Sequence, residues 1–233
     1  MKMQSQHLSN HNLDNTLAAF RPAFIVVTMV YLILIYWFLS VKIATIMVIT
    51  TLIIAITSYA LIQRSKVSYT LTATHFQQHL HKGGWVVRWS DIEKIDLCHI
   101  EKSGLQIPLP WIGIKLRHYS PYLDSICPRI ASEILLSQRA LLYTGLRNMQ
   151  DKRDSSIGNK PFEDLVLDSS PHTTQSGKQY DGLRAMLGNR MAHQRAALGF
   201  DIFISTNDLD RDEGSFVGLT RRYLAAAEPN ILD

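Results

Sequence analysis

Charge is what this sequence lacks first. From Phe24 to Ile62, a run of 39 residues, Lys42 is the only charged side chain. Neither half of the run has a polar face, which argues against a buried helical pair of a soluble protein. Its length does not fit a secretory leader, whose apolar core is about 7–15 residues. As one helix the run would extend roughly 58 Å, about twice the hydrocarbon thickness of a bilayer. Divided at Lys42 it gives Phe24–Val41 and Ile43–Ile62, each about one membrane thickness. The expectation is a two-helix transmembrane hairpin over residues 23–62, touching the bilayer through 24–62, with the Lys42 ammonium reaching water at the turn. Thiols are scarce too. Cys98 and Cys127 are the only cysteines, and with no Cys-x-x-Cys they read as small, partly buried thiols of a reducing compartment. No Walker loop, Gly-x-Gly-x-x-Gly or Gly-x-Ser-x-Gly occurs, so no motif points to nucleotide binding or to a hydrolase.

What charge there is sits at the borders of the run. Lys2 and Arg21 precede it, and Arg64 and Lys66 follow it. With two crossings, the positive-inside rule places both termini in the cytoplasm of a multi-pass inner-membrane protein. Residues 1–22 read as a polar cytoplasmic tail rich in Asn, Gln and His. The formal net charge of +4 is accounted for by these flanks and by helix ends, with acidic head groups as weak partners, so no nucleic-acid partner is expected.

Past the apolar run the periodicity changes to two. Val67, Tyr69 and Leu71 alternate with Ser68, Thr70 and Thr72, and Phe76 and Leu80 oppose His75, Gln77, His79 and His81. Lys82-Gly83-Gly84 reads as the turn of a hairpin whose second strand is Trp85–Trp89. Ser90–Ile95 reads as a short turn or helix, and 111–117 as a strand after a turn-like Ile-Pro-Leu-Pro. Pro128 then opens a helix expected to reach about Asn148, since Ile130, Ile134, Leu135, Leu141, Leu142 and Leu146 recur at helical spacing. Residues 150–178 have linker composition. A helix over 179–198, stopped by Gly199, carries Leu183, Met186, Leu187, Met191 and Leu198 on one side. Phe200–Ser205 reads as a strand. A last helix from about Asp212 has Phe216, Thr220, Tyr223 and Ala227 on one face.

Three clusters invite a chemical reading. His75, His79 and His81 share one strand face, the arrangement a zinc ion would need, with His99 as a further candidate. The usual carboxylate or thiolate partner and the His-Glu-x-x-His spacing are missing, so the face reads as a solvated hairpin surface and no metal or cofactor is expected. Asp208, Asp210 and Asp212 match the first, third and fifth ligands of a calcium loop, yet Glu213 stands where glycine is required and Leu219 where a bidentate Glu is. They read instead as acids favouring a helix N-terminus. Arg184, Arg190 and Arg195 read as the solvated arginines of a helix packed through Met and Leu.

Tyr69, Leu71, Thr72, Phe76, Gly84, Trp89, Asp91, Ile92 and Ile95 resemble the opening of bacterial pleckstrin-homology-like domains that follow a two-helix membrane hairpin. Residues 112–123 resemble their middle strand, and 200–224 their last strand and closing helix. The whole chain is similar to a bacterial membrane-protein family known as a domain of unknown function. The resemblance implies a membrane-anchored α+β protein whose PH-like β-sheet or partial barrel, over 67–226, is capped by a C-terminal helix. It departs from that pattern by an insertion at about 119–198 and by lacking the basic residues of phosphoinositide-binding domains around Lys82–Arg88, so lipid head-group recognition does not carry over.

The function expected is therefore non-enzymatic: an inner-membrane protein presenting a cytoplasmic PH-like interaction or regulatory domain to a protein partner. Any binding surface is expected on the inserted helices and linker. The alternatives are a membrane-surface enzyme or metal-binding protein using the histidine cluster, and an accessory subunit of a transport or envelope-stress complex.

Overall fold

The computed structural model describes residues 5–9, 22, 25–31, 33, 37, 41–64, 66–102, 104–152 and 162–227. Among these, one helix is long and apolar enough to cross a membrane, the stretch Thr45–Arg64 of α1 (Val41–Arg64). Its polar side chains look after themselves: the Thr50 and Thr51 hydroxyls donate to the carbonyls of Ile46 and Met47 at 2.9 and 2.8 Å, which leaves few polar groups seeking partners in an apolar solvent. Lys42 lies in the first turn of this helix rather than at a turn between two helices. Of the other expected span, Phe24–Val41, residues 25–31, 33, 37 and 41 are described and all are helical, and the rest lie outside the described residues. The hairpin expectation thus reduces to one helix capable of spanning.

Two antiparallel sheets and their helices follow. The four-stranded sheet has the order β1 (Gln6–Ser9), β2 (Ser68–Leu71), β3 (His75–Leu80), β4 (Gly83–Arg88). Its edge strand β1 comes from the stretch read as a polar tail. The alternation expected from the sequence is the register found: Tyr69, Leu71, Phe76, Trp85 and Val87 are buried, while Thr70, His75, Gln77 and His79 face the other way. The reversal between β3 and β4 is made by His81 and Lys82; Gly83 and Gly84 already pair with Leu80 and His79.

The three-stranded sheet has the order β5 (Ile92–Lys102), β6 (Leu105–Leu116), β9 (Ile202–Ser205). Residues 90–95 are therefore a short 3-10 turn, Trp89–Asp91, that runs straight into β5. The Ile-Pro-Leu-Pro segment is not a turn but part of β6. Both prolines are tolerated because β9 pairs only with Trp111–Ile114, so no ladder bond is asked of their missing N–H groups on that edge.

β9 is buried along its first three residues because both faces of this sheet are covered. Ile202 and Ile204 join the main core, while Phe203 packs with Cys98, Leu141, Leu198 and Phe200 in a second cluster. Burial pushes the Cys98 thiol up to about 11, so it is a protonated packing group; Cys127 is exposed.

The helices are α2 (Ser120–Ser125), α3 (Pro128–Ser137), α4 (Arg139–Lys152), α5 (Phe162–Val166), α6 (Gly182–Leu198) and α7 (Glu213–Ala226), with a small ribbon of β7 (His172–Thr173) and β8 (Gln179–Tyr180) before α6. Pro128 stands in the first turn of α3 as expected, but the expected single helix is interrupted at Gln138. The Gln138 side chain is buried and donates to the Phe203 carbonyl at 3.2 Å, anchoring the break to β9. The last helix, α7, starts where the sequence suggests, and the Asp212 carboxylate caps it by accepting from Ser215 N at 2.8 Å. That helix lays Phe216 and Tyr223 over the aromatic core: Tyr223 stacks on Trp89 at 5.8 Å and Trp89 on Phe76 at 5.6 Å.

Candidate functional site

The chain leaves β6 at Leu116 and turns through Arg117, His118 and Tyr119 into α2. Across from this turn lies the face of α6 that carries Ala192, Arg195 and Ala196, one helical turn apart. The loop between β7 and β8 closes the third side, tied by Thr174 N to Lys178 O and Gly177 N to Thr174 O, both at 2.9 Å. Between them is a cavity of about 410 Å³, within the range of small-molecule sites. It is roomy because two of the α6 positions on this face are alanines.

Beneath its floor an ion pair holds two of the lining residues, Arg195 and Tyr119. Asp201, whose side chain is fully buried, accepts from Leu116 N at 2.7 Å, from the Tyr119 hydroxyl at 2.6 Å and from Arg195 Nε at 2.7 Å, while Arg195 Nη2 reaches its second oxygen. These four bonds satisfy the carboxylate. Arg195 Nη2 also donates to Leu116 O at 2.5 Å, so one guanidinium ties α6 to the end of β6. Burial works against the charge of Arg195, but the bonds and attraction of Asp201 outweigh it and raise its pKa. Burial, followed by the nearby Asp201 charge, raises that of the Tyr119 phenol, which stays a neutral donor. Arg195 was expected to be solvated; it is instead held over the Tyr119 ring at 5.0 Å.

The wall facing this floor is built by His172. Its ring stacks on Tyr119 at 5.9 Å and 18°, and its Nδ1 lies 2.8 Å from Asn189 Oδ1. Asn189 Nδ2 is used as a donor to Ser170 O, so Oδ1 accepts and the His172 proton belongs on Nδ1. The ring lies on α6 at Gly188, where a Cβ would come within 2.5 Å of it; any other residue there would push the His172 ring out of this position. Next to it, Asp168 accepts from Ser170 Oγ at 2.5 Å and lies 3.6 Å from His193 Nε2. The Ser170 hydroxyl bond holds the Asp168 carboxyl below the usual range, against its burial. Among the described residues, no hydroxyl or thiol bonds to a histidine that a carboxylate holds in turn, the arrangement nucleophilic catalysis uses.

The histidines singled out in the sequence lie elsewhere. His79 Nε2 bonds to Thr70 Oγ1 at 3.0 Å, and His7 Nδ1 to the same hydroxyl at 3.1 Å. Burial, and then the neighbouring His7, lower the His79 pKa. His75 Nδ1 pairs with Thr74 Oγ1 at 3.0 Å, and His99 Nδ1 with Leu97 O at 3.0 Å. His81 sits in the turn, off the strand face. Among the described residues, no three His, Cys, Asp or Glu side chains are grouped as a metal would need. In the acidic run, Asp210 is bonded to Arg211, and Asp212 to the helix it caps. Arg190 is 2% exposed, its Nη2 donating to Val166 O at 2.9 Å.

A family model matches residues 69–226, from Tyr69 in β2 to the last residue of α7, and so spans every element that lines the cavity. The chain belongs to that family, described as Protein of unknown function (DUF2982). No curated protein and no solved structure matches the chain. The matched region has residues 119–198 within its bounds. It begins beyond α1.

Proposed function

We propose that this chain is a membrane-anchored, non-enzymatic binding module, an inner-membrane protein that presents a PH-like domain to the cytoplasm and takes up a small ligand between β6, α6 and the β7–β8 loop. The observation that carries the reading is the 410 Å³ cavity, whose lining comes from three separate chain segments fixed by the Asp201–Arg195 pair. Asp201, Arg195, Tyr119 and His172 beside it are engaged with protein partners, which favours holding over chemistry. The PH-like part of the reading is supported by the run of four antiparallel strands, then two more, then a closing strand and the C-terminal helix α7 packed beside β5. The anchoring part is supported by α1 and by Arg64 at its end.

Native mass spectrometry of the full chain, extracted from its own membrane in mild detergent, should show a small-molecule adduct. Ala196 is exposed on α6, so Ala196→Trp should fill the cavity without disturbing the core and remove the adduct. The same adduct on both proteins, or none on the wild type, would count against the reading. Topology has its own test. Alkaline phosphatase fused after residue 233 should be inactive and a fluorescent protein there bright, since with the two crossings read from the sequence Lys2, Arg21, Arg64 and Lys66 all lie on one side, the cytoplasmic one. An active phosphatase would reverse the orientation.

A further inference from the structure

The cavity has a chemical bias that its size does not reveal. Its lining includes Arg117, Arg195, His118, Ser120 and Ser176, and no Asp or Glu; the Nδ1 proton of the lining His172 is already spent on Asn189. The neighbouring carboxylates are occupied: Asp201 by Arg195, Glu93 by Lys115 at 2.7 Å, and Asp124 by Lys178 at 2.7 and 2.8 Å. Asp91, which faces His118 and Arg88, is pushed toward its neutral form by burial. Arg117 is exposed at the mouth, and no described residue gives its guanidinium a hydrogen bond or an ion pair. Arg195 spends Nε and Nη2 on Asp201 and Leu116 O and keeps Nη1.

The hydroxyls form a ring that a ligand can open. Ser120 Oγ donates to Thr174 Oγ1 at 3.2 Å, and Thr174 Oγ1 donates to Lys178 O at 3.1 Å. Ser176 Oγ lies 3.0 Å from each of the other two. The Ser120 and Thr174 protons are thus committed, and the proton of exposed Ser176 is the one that can turn outward. Donors come from three separate segments, the turn after β6, the β7–β8 loop and α6, and not from a single planar fork. That arrangement suits the three free oxygens of a tetrahedral anion better than the two of a carboxylate.

We propose that the cavity binds the phosphate group of a phosphomonoester, with Arg117 and Ser176 donating to its oxygens and Ala192, Ala196 and the Tyr119 ring receiving the organic remainder. The inference rests on the reading of the cavity as a ligand site, and the phosphate could be carried by a soluble metabolite or by a lipid headgroup.

The test uses the full chain in nonionic micelles, titrated calorimetrically with glycerol phosphate and, separately, with short-chain phosphatidic acid in mixed micelles. Glycerol is the neutral control. Binding of either phosphate probe, weakened about tenfold or more by Arg117→Ala and by Ser176→Ala, is the expected result, since one charge-assisted bond is worth about 1.5–3 kcal/mol. Arg129→Ala, exposed on α3, should leave affinity unchanged. Glycerol phosphate alone would identify a soluble ligand, and phosphatidic acid alone a headgroup. Unaltered affinity in both cavity variants, or no binding of either probe by folded wild type, overturns the proposal. An Ala196→Trp-sensitive adduct on a chain that ignores both probes would overturn the ligand class alone, leaving the binding-module reading intact.

Discussion

Asp201→Ala is expected to cost the domain about 3–5 kcal/mol, the usual penalty for removing one partner of a buried ion pair. The side chain is fully buried, and its loss strands three donors at once: the Arg195 guanidinium, the Tyr119 hydroxyl and Leu116 N. Each is then left in a place water reaches poorly, so the desolvation cost paid on folding is no longer returned. The measurement is urea unfolding of the full chain in micelles, followed by circular dichroism, with the loss read from the midpoint at constant slope. Arg195→Ala should also destabilise, by less, because Asp201 keeps two of its donors. The double variant should cost less than the sum of the singles, with a coupling of about 1–3 kcal/mol. A loss below about 1 kcal/mol for Asp201→Ala would mean that water replaces the partners and that the cavity floor is not rigid.

The second large effect lies at the centre of the aromatic core. Trp89→Ala should destabilise by about 3–5 kcal/mol, the range for truncating a large buried aromatic. Trp89 is 1% exposed, stacked between Phe76 and Tyr223, and its Nε1 donates to Thr72 O at 2.9 Å. Trp89→Phe keeps most of the stack and loses that bond, so its cost should be nearer about 1 kcal/mol. Equal costs for the two variants would show that the hydrogen bond, not the packing, holds the indole. A loss under about 0.5 kcal/mol for Trp89→Ala would put the residue on the surface and overturn the strand register around it.

That register was legible in the amino-acid sequence because period-two burial is a local signal. Val67, Tyr69, Leu71 and Phe76 alternate with polar neighbours, and a strand with one buried face has no other way to satisfy them. The helix starts were equally local, as Pro128 and Asp212 show. The break at Gln138 was not, since no glycine or proline marks it and its cause is the Phe203 carbonyl, 65 residues away. Nor was β6, where two prolines imitate a turn until it is known that one edge of the strand has no neighbour. The cavity was hidden for the same reason: it joins residues 117–120, 172–176 and 192–196, far apart in the chain, and the second of these lies in the stretch of linker composition. One signal did point to its floor. Asp201 interrupts the apolar run Phe200–Ile204, and a lone acid in a strand that is otherwise buried implies a cationic partner close by. Arg195, folded back to it by the left-handed Gly199 at φ 81°, is that partner.

The prolines of β6 have a consequence for how copies of this protein can meet. A hairpin arm exposed from Gly104 to Pro108, with Leu105 70% and Ile107 39% exposed, would ordinarily be an invitation to self-association, because an open strand edge templates the next strand. Pro108 and Pro110 present no N–H to such a visitor, so the edge cannot extend the ladder. Crowding of these domains would therefore bring the arms together through their side chains, with Pro108 and Pro110 adding no bond to an intermolecular sheet.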